Sequence, residues 1–224
     1  MNYDVIIIGA GLAGMVAAEA ARAEGANILL VTRGGIGIGT NSAISNGMFT
    51  SPTDVYSIEN FIKDTIAIGK GINNEQMVRL VGHEAYDAIS SLRSYGIEIE
   101  ETPGNFTVQL PRPDLIRGVP LIKNLAAHLR KQDAISFWSN FCVTEILTQD
   151  NNVFGIKGFD ASGKDVTIHA SAVILAAGGG GAMYLQNDNQ KSTMGQGYAL
   201  AAKAGLELWD MEFVQFYPLV LSEP

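Results

Sequence analysis

Three glycines near the amino terminus, spaced as Gly9-x-Gly11-x-x-Gly14, give the first chemical signal in this sequence. Gly9 permits a tight turn, Gly11 lets a pyrophosphate approach the backbone, and Gly14 lets a helix pack closely on a strand. Phosphates bind at such a turn because the free N–H groups and the positive dipole end of the helix point toward them. The spacing therefore predicts a dinucleotide site formed by Gly9, Ala10, Gly11, Leu12, Ala13 and Gly14.

The residues around this turn have the order that such a site requires. Residues 4–9 are a short β-branched apolar run, an alanine-rich stretch extends to Glu24, and a second apolar run covers residues 27–32. This order predicts a strand, a glycine turn, a helix and a second strand, which together form a βαβ unit over residues 3–33. Without this context the three glycines would indicate only a turn.

The end of the second predicted strand reads Val31-Thr32-Arg33. Units that bind NAD usually have an acidic residue here, which holds the ribose hydroxyls. Thr32 can hydrogen-bond a ribose only as a neutral group, whereas Arg33 could bind the 2′-phosphate of NADP. On these residues alone, an NADPH-dependent reductase is a competing interpretation.

The remaining sequence predicts an α/β domain in which a parallel sheet carries an inserted β-meander. A loop rich in Gly, Ser, Thr and Asn covers residues 34–51, and a helical region covers residues 54–131. Within that region, helices are predicted at residues 54–69, 74–95 and 114–131, with a loop or edge hairpin at 101–113. Strands are predicted at 135–138, 141–149, 153–160, 164–169 and 172–176, the middle three forming the meander within residues 134–170. Residues 172–218 then supply a buried strand, a glycine loop and a helix at 193–204.

Composition excludes several classes of protein. The chain has 224 residues and a formal net charge of −8 (15 basic against 23 acidic residues), which disfavours nucleic-acid binding. Its single cysteine, Cys142, excludes an internal disulfide framework and a cysteine-rich metal site. No apolar run reaches the length of a membrane span, and Met1-Asn2-Tyr3-Asp4 lacks a basic leader region, so we expect a cytoplasmic protein, or one that reaches a membrane only through partners.

Two regions resemble a known family. Residues 31–33 and 39–48 are similar to the flavin loop of the fumarate reductase/succinate dehydrogenase flavoproteins and L-aspartate oxidases. The second region is similar to that family's pattern A-T-G-G-x-G…Y…N…T-G-D-G…D-M-E-F-x-Q-F-H-P. The similarity covers residues 176–181, Tyr184, Asn189 and residues 195–197 and 210–218. The resemblance implies a Rossmann-like FAD-binding domain of the glutathione-reductase type, spanning residues 1–224.

The resemblance implies FAD rather than NADPH as the cofactor. Beyond the glycine turn, it implies contacts at the ADP end, a backbone contact to adenine, and contacts along the pyrophosphate and the isoalloxazine ring. The residues concerned are Thr32, Arg33, Gly39, Thr40, Asn41, Ser42, Ala43, Asn46, Gly47, Met48, Val143, Ala177, Gly178, Gly179, Asn189 and Gln196.

Three positions depart from the family pattern. Thr40 stands where some members carry the histidine that attaches FAD covalently, so we expect non-covalent FAD. Gln196 replaces the aspartate of T-G-D-G, and Tyr217 replaces the histidine of Q-F-H-P. Tyr217 can donate a hydrogen bond but cannot become cationic, and it is the one substrate-site candidate that the sequence offers. No catalytic residue is assigned.

The resemblance also implies a reaction and partners. The reaction is hydride transfer between flavin N5 and a C–C or C–N bond beside a carboxylate of a small-molecule substrate. Family members continue into a capping domain, so we expect the FAD-binding domain to be incomplete in these residues. A further C-terminal segment or a partner subunit, for which an iron–sulfur electron-transfer protein is one candidate, would complete it. A non-catalytic FAD-carrying subunit is the remaining alternative.

Overall fold

A six-stranded sheet organises the chain, as a computed structural model describes it for residues 3–216. The strand order is β6-β2-β1-β9-β8-β7, with β6, β2, β1 and β9 parallel and β8 and β7 antiparallel. The strands are β1 (Tyr3–Ile8), β2 (Ile28–Val31), β3 (Met48–Thr50), β4 (Ile99–Thr102), β5 (Asn105–Val108), β6 (Ile135–Trp138), β7 (Cys142–Gln149), β8 (Asn152–Phe159) and β9 (Asp165–Leu175). The helices are α1 (Leu12–Ala23), α2 (Asn41–Ile44), α3 (Ile58–Ile68), α4 (Glu75–Ser91), α5 (Gly118–Leu129) and α6 (Gln196–Lys203). The predicted α/β class with a parallel sheet and a β-meander is confirmed.

The apolar runs of β1 and β2 are buried on both faces of the sheet. Ile7 and Leu30 belong to the core on the side of α1 and α5, whereas Ile6, Ile8 and Leu29 belong to the core on the side of α6 and the meander. Strands buried on both faces need apolar residues at every position, which explains why these runs do not alternate. The strands β1 and β2 on either side of α1 are parallel and in register from Val5 opposite Ile28.

The fourth and fifth predicted strands of the second half form a single strand, β9. Its first half pairs antiparallel with β8 from Asp165 to His169, and its second half pairs parallel with β1 from Ala170 to Leu175. The prediction of two strands, 164–169 and 172–176, was therefore wrong. No glycine or proline separates the two halves, so nothing in the backbone ends the strand. The meander is thus continuous with the parallel sheet.

The helical region differs from the prediction at its boundaries. The structure begins α3 at Ile58, where the Ser57 side chain accepts a hydrogen bond from the Asn60 N–H at 3.2 Å. It begins α5 at Gly118 rather than at residue 114, which places Pro120 in the first helical turn. Proline fits there because the first N–H groups of a helix have no partner within it. Residues 118–120, which lie inside the predicted helix 114–131, are therefore its first turn.

The predicted loop at residues 34–51 contains two short elements that position it. One is α2, and the other is β3, which joins the β4–β5 hairpin in a three-stranded antiparallel sheet. The amino end of α5 packs on this loop: Gly118 N–H donates to the Ser45 carbonyl oxygen at 3.0 Å, and a Cβ on Gly118 would overlap the Ser42 carbonyl oxygen. The loop is therefore held against α5 by backbone contacts.

The helix α4 carries apolar residues at helical spacing along one face, and this face is only partly buried. Ile89 and the following Leu92 are 8% and 4% exposed, as the helical period predicts. Met77, Leu80 and Val81 are 54%, 53% and 47% exposed, so the first half of that face meets solvent in residues 3–216. Periodicity identifies which side chains share a face, but not how far the packing partner extends.

No helix among the described residues is long and apolar enough to cross a membrane.

The buried face of α5 gives the first prediction. Leu125 is 0% exposed and belongs to the core shared by α1, α5 and the sheet. Leu125→Ala should lower the free energy of unfolding by about 2–5 kcal/mol, because it removes buried methyl groups and leaves a cavity. Lys123→Ala, on the exposed side of the same helix, should change it by less than about 0.5 kcal/mol. Urea denaturation measures both, and equal effects would contradict the assigned helix faces.

Candidate functional site

The carboxyl ends of β1, β2 and β9 open into one cleft. Its volume is about 570 Å³, within the range of roughly 300–1,000 Å³ that small-molecule and cofactor sites take. The glycine turn after β1 forms its floor, and residues 31–34, 39–42 and 175–179 line its sides. The rest of the lining includes residues 141–143, 192–193, 196–198 and 200–201, together with Ile38. Ligands of open α/β sheets bind at this edge, outside the carboxyl ends of the strands.

The three glycines of the turn have different roles. Gly9 has φ +113°, and a Cβ there would overlap the Ala176 carbonyl oxygen, so the fold itself requires this glycine. Gly14 is equally required, because a Cβ would overlap the Gly9 carbonyl oxygen. Gly11 differs: a Cβ would make only an ordinary contact, 3.4 Å from Ser42 Oγ. The protein's own packing does not explain Gly11, whereas a ligand approaching the backbone from the cleft does.

The amino end of α1 faces the cleft at this turn. Gly11 is its N-cap and provides no side-chain hydrogen bond. The Leu12 N–H donates to Ser42 Oγ at 3.1 Å, which ties the helix end to the loop after β2. The N-cap residue itself supplies no side chain, and the N–H groups and positive dipole end at such a helix start favour an anionic group.

The charge of the cleft also favours an anion. Although the chain has a net charge of −8, no Asp or Glu occurs among the described residues that line the cleft. Arg33 lines it, and its Nη2 donates to the Ser192 carbonyl oxygen at 2.6 Å. A diphosphate would therefore meet a guanidinium and a helix amino end without a facing carboxylate.

Most of the predicted cofactor residues lie together in this cleft. The residues that line it are Gly9, Ala10, Gly11, Leu12, Ala13, Thr32, Arg33, Gly39, Thr40, Asn41, Ser42, Val143, Ala177, Gly178, Gly179 and Gln196. They come from segments as far apart in sequence as the first and last described helices. The topology brings them together because β1 lies between β2 and β9.

The other predicted residues lie around the cleft. Gly14 packs against the glycine turn, and Asn189 Oδ1 accepts a hydrogen bond from Asn41 Nδ2 at 2.6 Å. The remaining four, Ala43, Asn46, Gly47 and Met48, continue the loop beyond the cleft toward β3 and the start of α5. Tyr217, the substrate-site candidate, lies outside the described residues.

Arg117 is a residue that the sequence interpretation missed. It precedes α5, and its Cβ lies 2.5 Å from the place that a Cβ on Gly47 would occupy. Its Nε atom is buried and has no hydrogen-bond partner in the part of the chain that the structure describes. No motif marks this arginine, because its place beside Gly47 results from the packing of α5 on a loop 70 positions earlier in sequence.

Comparison with known proteins agrees with this geometry. The family described as FAD binding domain matches residues 4–224. The L-aspartate oxidase of Agrobacterium fabrum is 33% identical over 98% of this chain and 44% of its own length. That of Mycobacterium leprae is 30% identical over 97% of this chain and 43% of its own length. The chain thus spans less than half the length of these curated relatives.

Solved structures show the same fold. Mycobacterium smegmatis Sdh1 in complex with UQ1 superposes with a TM-score of 0.79 at 27% identity, over 91% of this chain and 38% of its own. A variant of E. coli quinol fumarate reductase FrdA superposes with a TM-score of 0.79 at 26% identity, over 90% of this chain and 37% of its own. The chain therefore belongs to the FAD binding domain family, alongside the L-aspartate oxidase and fumarate reductase/succinate dehydrogenase flavoproteins, and its cofactor is FAD.

Proposed function

We propose that this chain is the FAD-binding part of an oxidoreductase that acts on a bond beside a carboxylate. Bound FAD would supply two-electron hydride transfer at N5 of its ring to or from a C–C or C–N bond. The observation that carries the proposal is the cleft at the sheet edge. It combines a glycine without a packing role, a helix amino end whose N-cap residue has no side chain, and a lining without Asp or Glu among residues 3–216.

The residues of the cleft fit the parts of this cofactor. Gly11 leaves backbone accessible where the diphosphate would lie, and the amino end of α1 favours its negative charge. Arg33 and Thr32 would face the ADP end, and the backbone near Val143 would face adenine. Loop residues 39–43 and 46–48 would follow the pyrophosphate and the ring, with residues 177–179, Asn189 and Gln196 on the other side.

FAD would be held without a covalent bond. Thr40 occupies the loop position at which some similar flavoproteins carry the attaching histidine, and a threonine hydroxyl cannot take its place. In this structure the Thr40 hydroxyl caps α2 by accepting a hydrogen bond from the Ala43 N–H at 3.3 Å. Retention would therefore depend on the fit of the cleft.

Arg117 would bind the carboxylate of the substrate. Its guanidinium Nε is buried without a partner among residues 3–216, which is costly unless a ligand supplies an acceptor. It lies beside Gly47, in the part of the loop that would follow the ring. Guanidinium groups match carboxylates in geometry and charge. Tyr217, in the family's Q-F-H-P segment, remains a proposed second contact.

Polypeptide outside these residues would complete the substrate site. Trp209, Phe213 and Phe216 are 78%, 60% and 69% exposed, although aromatic side chains of this size usually pack against protein. We assign their cover to a further segment of the chain or to a partner subunit, for which an iron–sulfur electron-transfer protein is one candidate.

Gly11→Val tests the placement of the diphosphate. The backbone at Gly11 has φ −79°, which valine can adopt, so the variant should fold but should lose bound FAD because its methyl groups enter the cleft. Flavin absorbance of the purified protein and its thermal unfolding measure the two properties. Ala20→Val, on the exposed side of the same helix, is the control and should retain FAD. Equal FAD content in Gly11→Val and the parent would contradict the placement.

Arg117→Met tests the substrate class in the full-length protein. Losing a charged hydrogen bond should weaken carboxylate binding by about tenfold or more, while FAD content stays unchanged. The measurement is the shift in flavin absorbance as small dicarboxylates are titrated. Arg112→Met, which removes an arginine whose side chain is 67% exposed, is the matched control. If Arg117→Met binds the carboxylates as the parent does, the role assigned to Arg117 is wrong.

A further inference from the structure

Two segments meet across one side of the cleft and are joined by side-chain hydrogen bonds. One consists of residues 39–41, after β2, and the other of residues 189–193, before α6. We call these two segments the clasp. Both segments of the clasp form part of the cleft wall. The lining residues are Gly39, Thr40 and Asn41 in the first segment and Ser192 and Thr193 in the second.

Asn41 makes three of the hydrogen bonds in the clasp. Its Nδ2 donates to Asn189 Oδ1 at 2.6 Å. Its Oδ1 accepts from the Gln190 N–H at 2.9 Å and from Thr193 Oγ1 at 3.3 Å. One amide side chain thus contacts three residues of the opposite segment, using both its donor and its acceptor.

Two further bonds involve Ser192. Its Oγ donates to the Gly39 carbonyl oxygen at 2.8 Å, and its own carbonyl oxygen accepts from Arg33 Nη2 at 2.6 Å. Asn41 belongs to the first segment and Ser192 to the second, so each segment has a side chain that bonds to the other. The bonds join positions 148 to 159 apart in sequence, so they constrain the relative position of the two segments directly.

The clasp is separate from the packing that holds the domain together. Asn41 and Ser192 are exposed, and no clasp residue belongs to either core cluster of the described residues. The second segment has its own attachment to the sheet edge, since Ala182 N–H donates to the Thr193 carbonyl oxygen at 3.0 Å and Gly195 N–H donates to the Gly179 carbonyl oxygen at 3.1 Å. Loss of the three Asn41 bonds would leave the bond between Ser192 and Gly39, so the segments would be joined more weakly and neither would unfold.

We propose that Asn41 is a positioning residue that fixes the width of the cleft and thereby sets how fast FAD leaves. This inference rests on the proposed binding of FAD in the cleft. A cofactor held without a covalent bond leaves when the walls of its cleft separate. The Asn41 side chain opposes that separation. Asn41 acts through Asn189, Gln190 and Thr193, independently of any contact that it makes with FAD.

The test is the release rate of FAD from Asn41→Ala, followed by the rise in flavin fluorescence after dilution. Three neutral hydrogen bonds are lost, so release should be about tenfold faster than in the parent or more. Asn187→Ala is the matched control, because the Asn187 side chain donates to the Tyr184 carbonyl oxygen and accepts from the Asn189 N–H, and makes no bond to residues 39–41 in the part of the chain that the structure describes. In the double variant Asn41→Ala/Asn189→Ala the effects of the two single variants on the release rate should be less than additive, because each single variant already removes the bond that the two side chains share.

A second measurement uses the chain without FAD. Lys191 is exposed within the clasp, and limited trypsin digestion followed by mass spectrometry reports cleavage after it. Asn41→Ala should increase that cleavage several-fold, and Asn187→Ala should not. If Asn41→Ala leaves both the release rate and the cleavage as in the parent, the clasp proposal is overturned. A parent protein that binds no FAD at all would instead overturn the proposed function.

Discussion

The main constraint on this structure is that an acidic protein has to bind a polyanionic ligand. The chain solves this with main-chain groups at the carboxyl edge of a parallel sheet, where β1, β2 and β9 end side by side. The helix α1 begins there with a glycine as its N-cap, and the described lining holds no carboxylate despite the net charge of −8. Because glycine exposes the backbone and side-chain charge is nearly absent, the cleft favours phosphate by geometry and by the helix dipole.

The position of β1 between β2 and β9 brings distant parts of the chain to this edge. The loop after β2 is fixed from one side by α5, through Gly118, and from the other by the segment before α6, through Asn41. Ile36 of this loop belongs to the core on the side of α1 and α5, and both sides of the loop are held. Arg117 lies against the same loop because it directly precedes α5. The part of the loop that would follow the flavin ring therefore has beside it a side chain able to bind a carboxylate.

Local patterns in the sequence predict the βαβ unit, the meander and most of the cleft, because apolar runs and glycine spacing act over neighbouring residues. They fail where the outcome depends on distant partners. β9 is one strand because β8 and β1 both pair with it, and the exposure of Met77 depends on what α3 leaves uncovered. The contacts of Arg117 with Gly47 and of Asn41 with Asn189 likewise join positions that are far apart in sequence.

Amide hydrogen exchange, measured with and without FAD and with NADPH as the comparison, tests the central claim most directly. Main-chain binding at the sheet edge predicts slower exchange with FAD at residues 9–14, 40–43 and 177–179 together, and no such change with NADPH. Unchanged exchange in these three segments upon addition of FAD, or slower exchange with NADPH alone, would contradict the account.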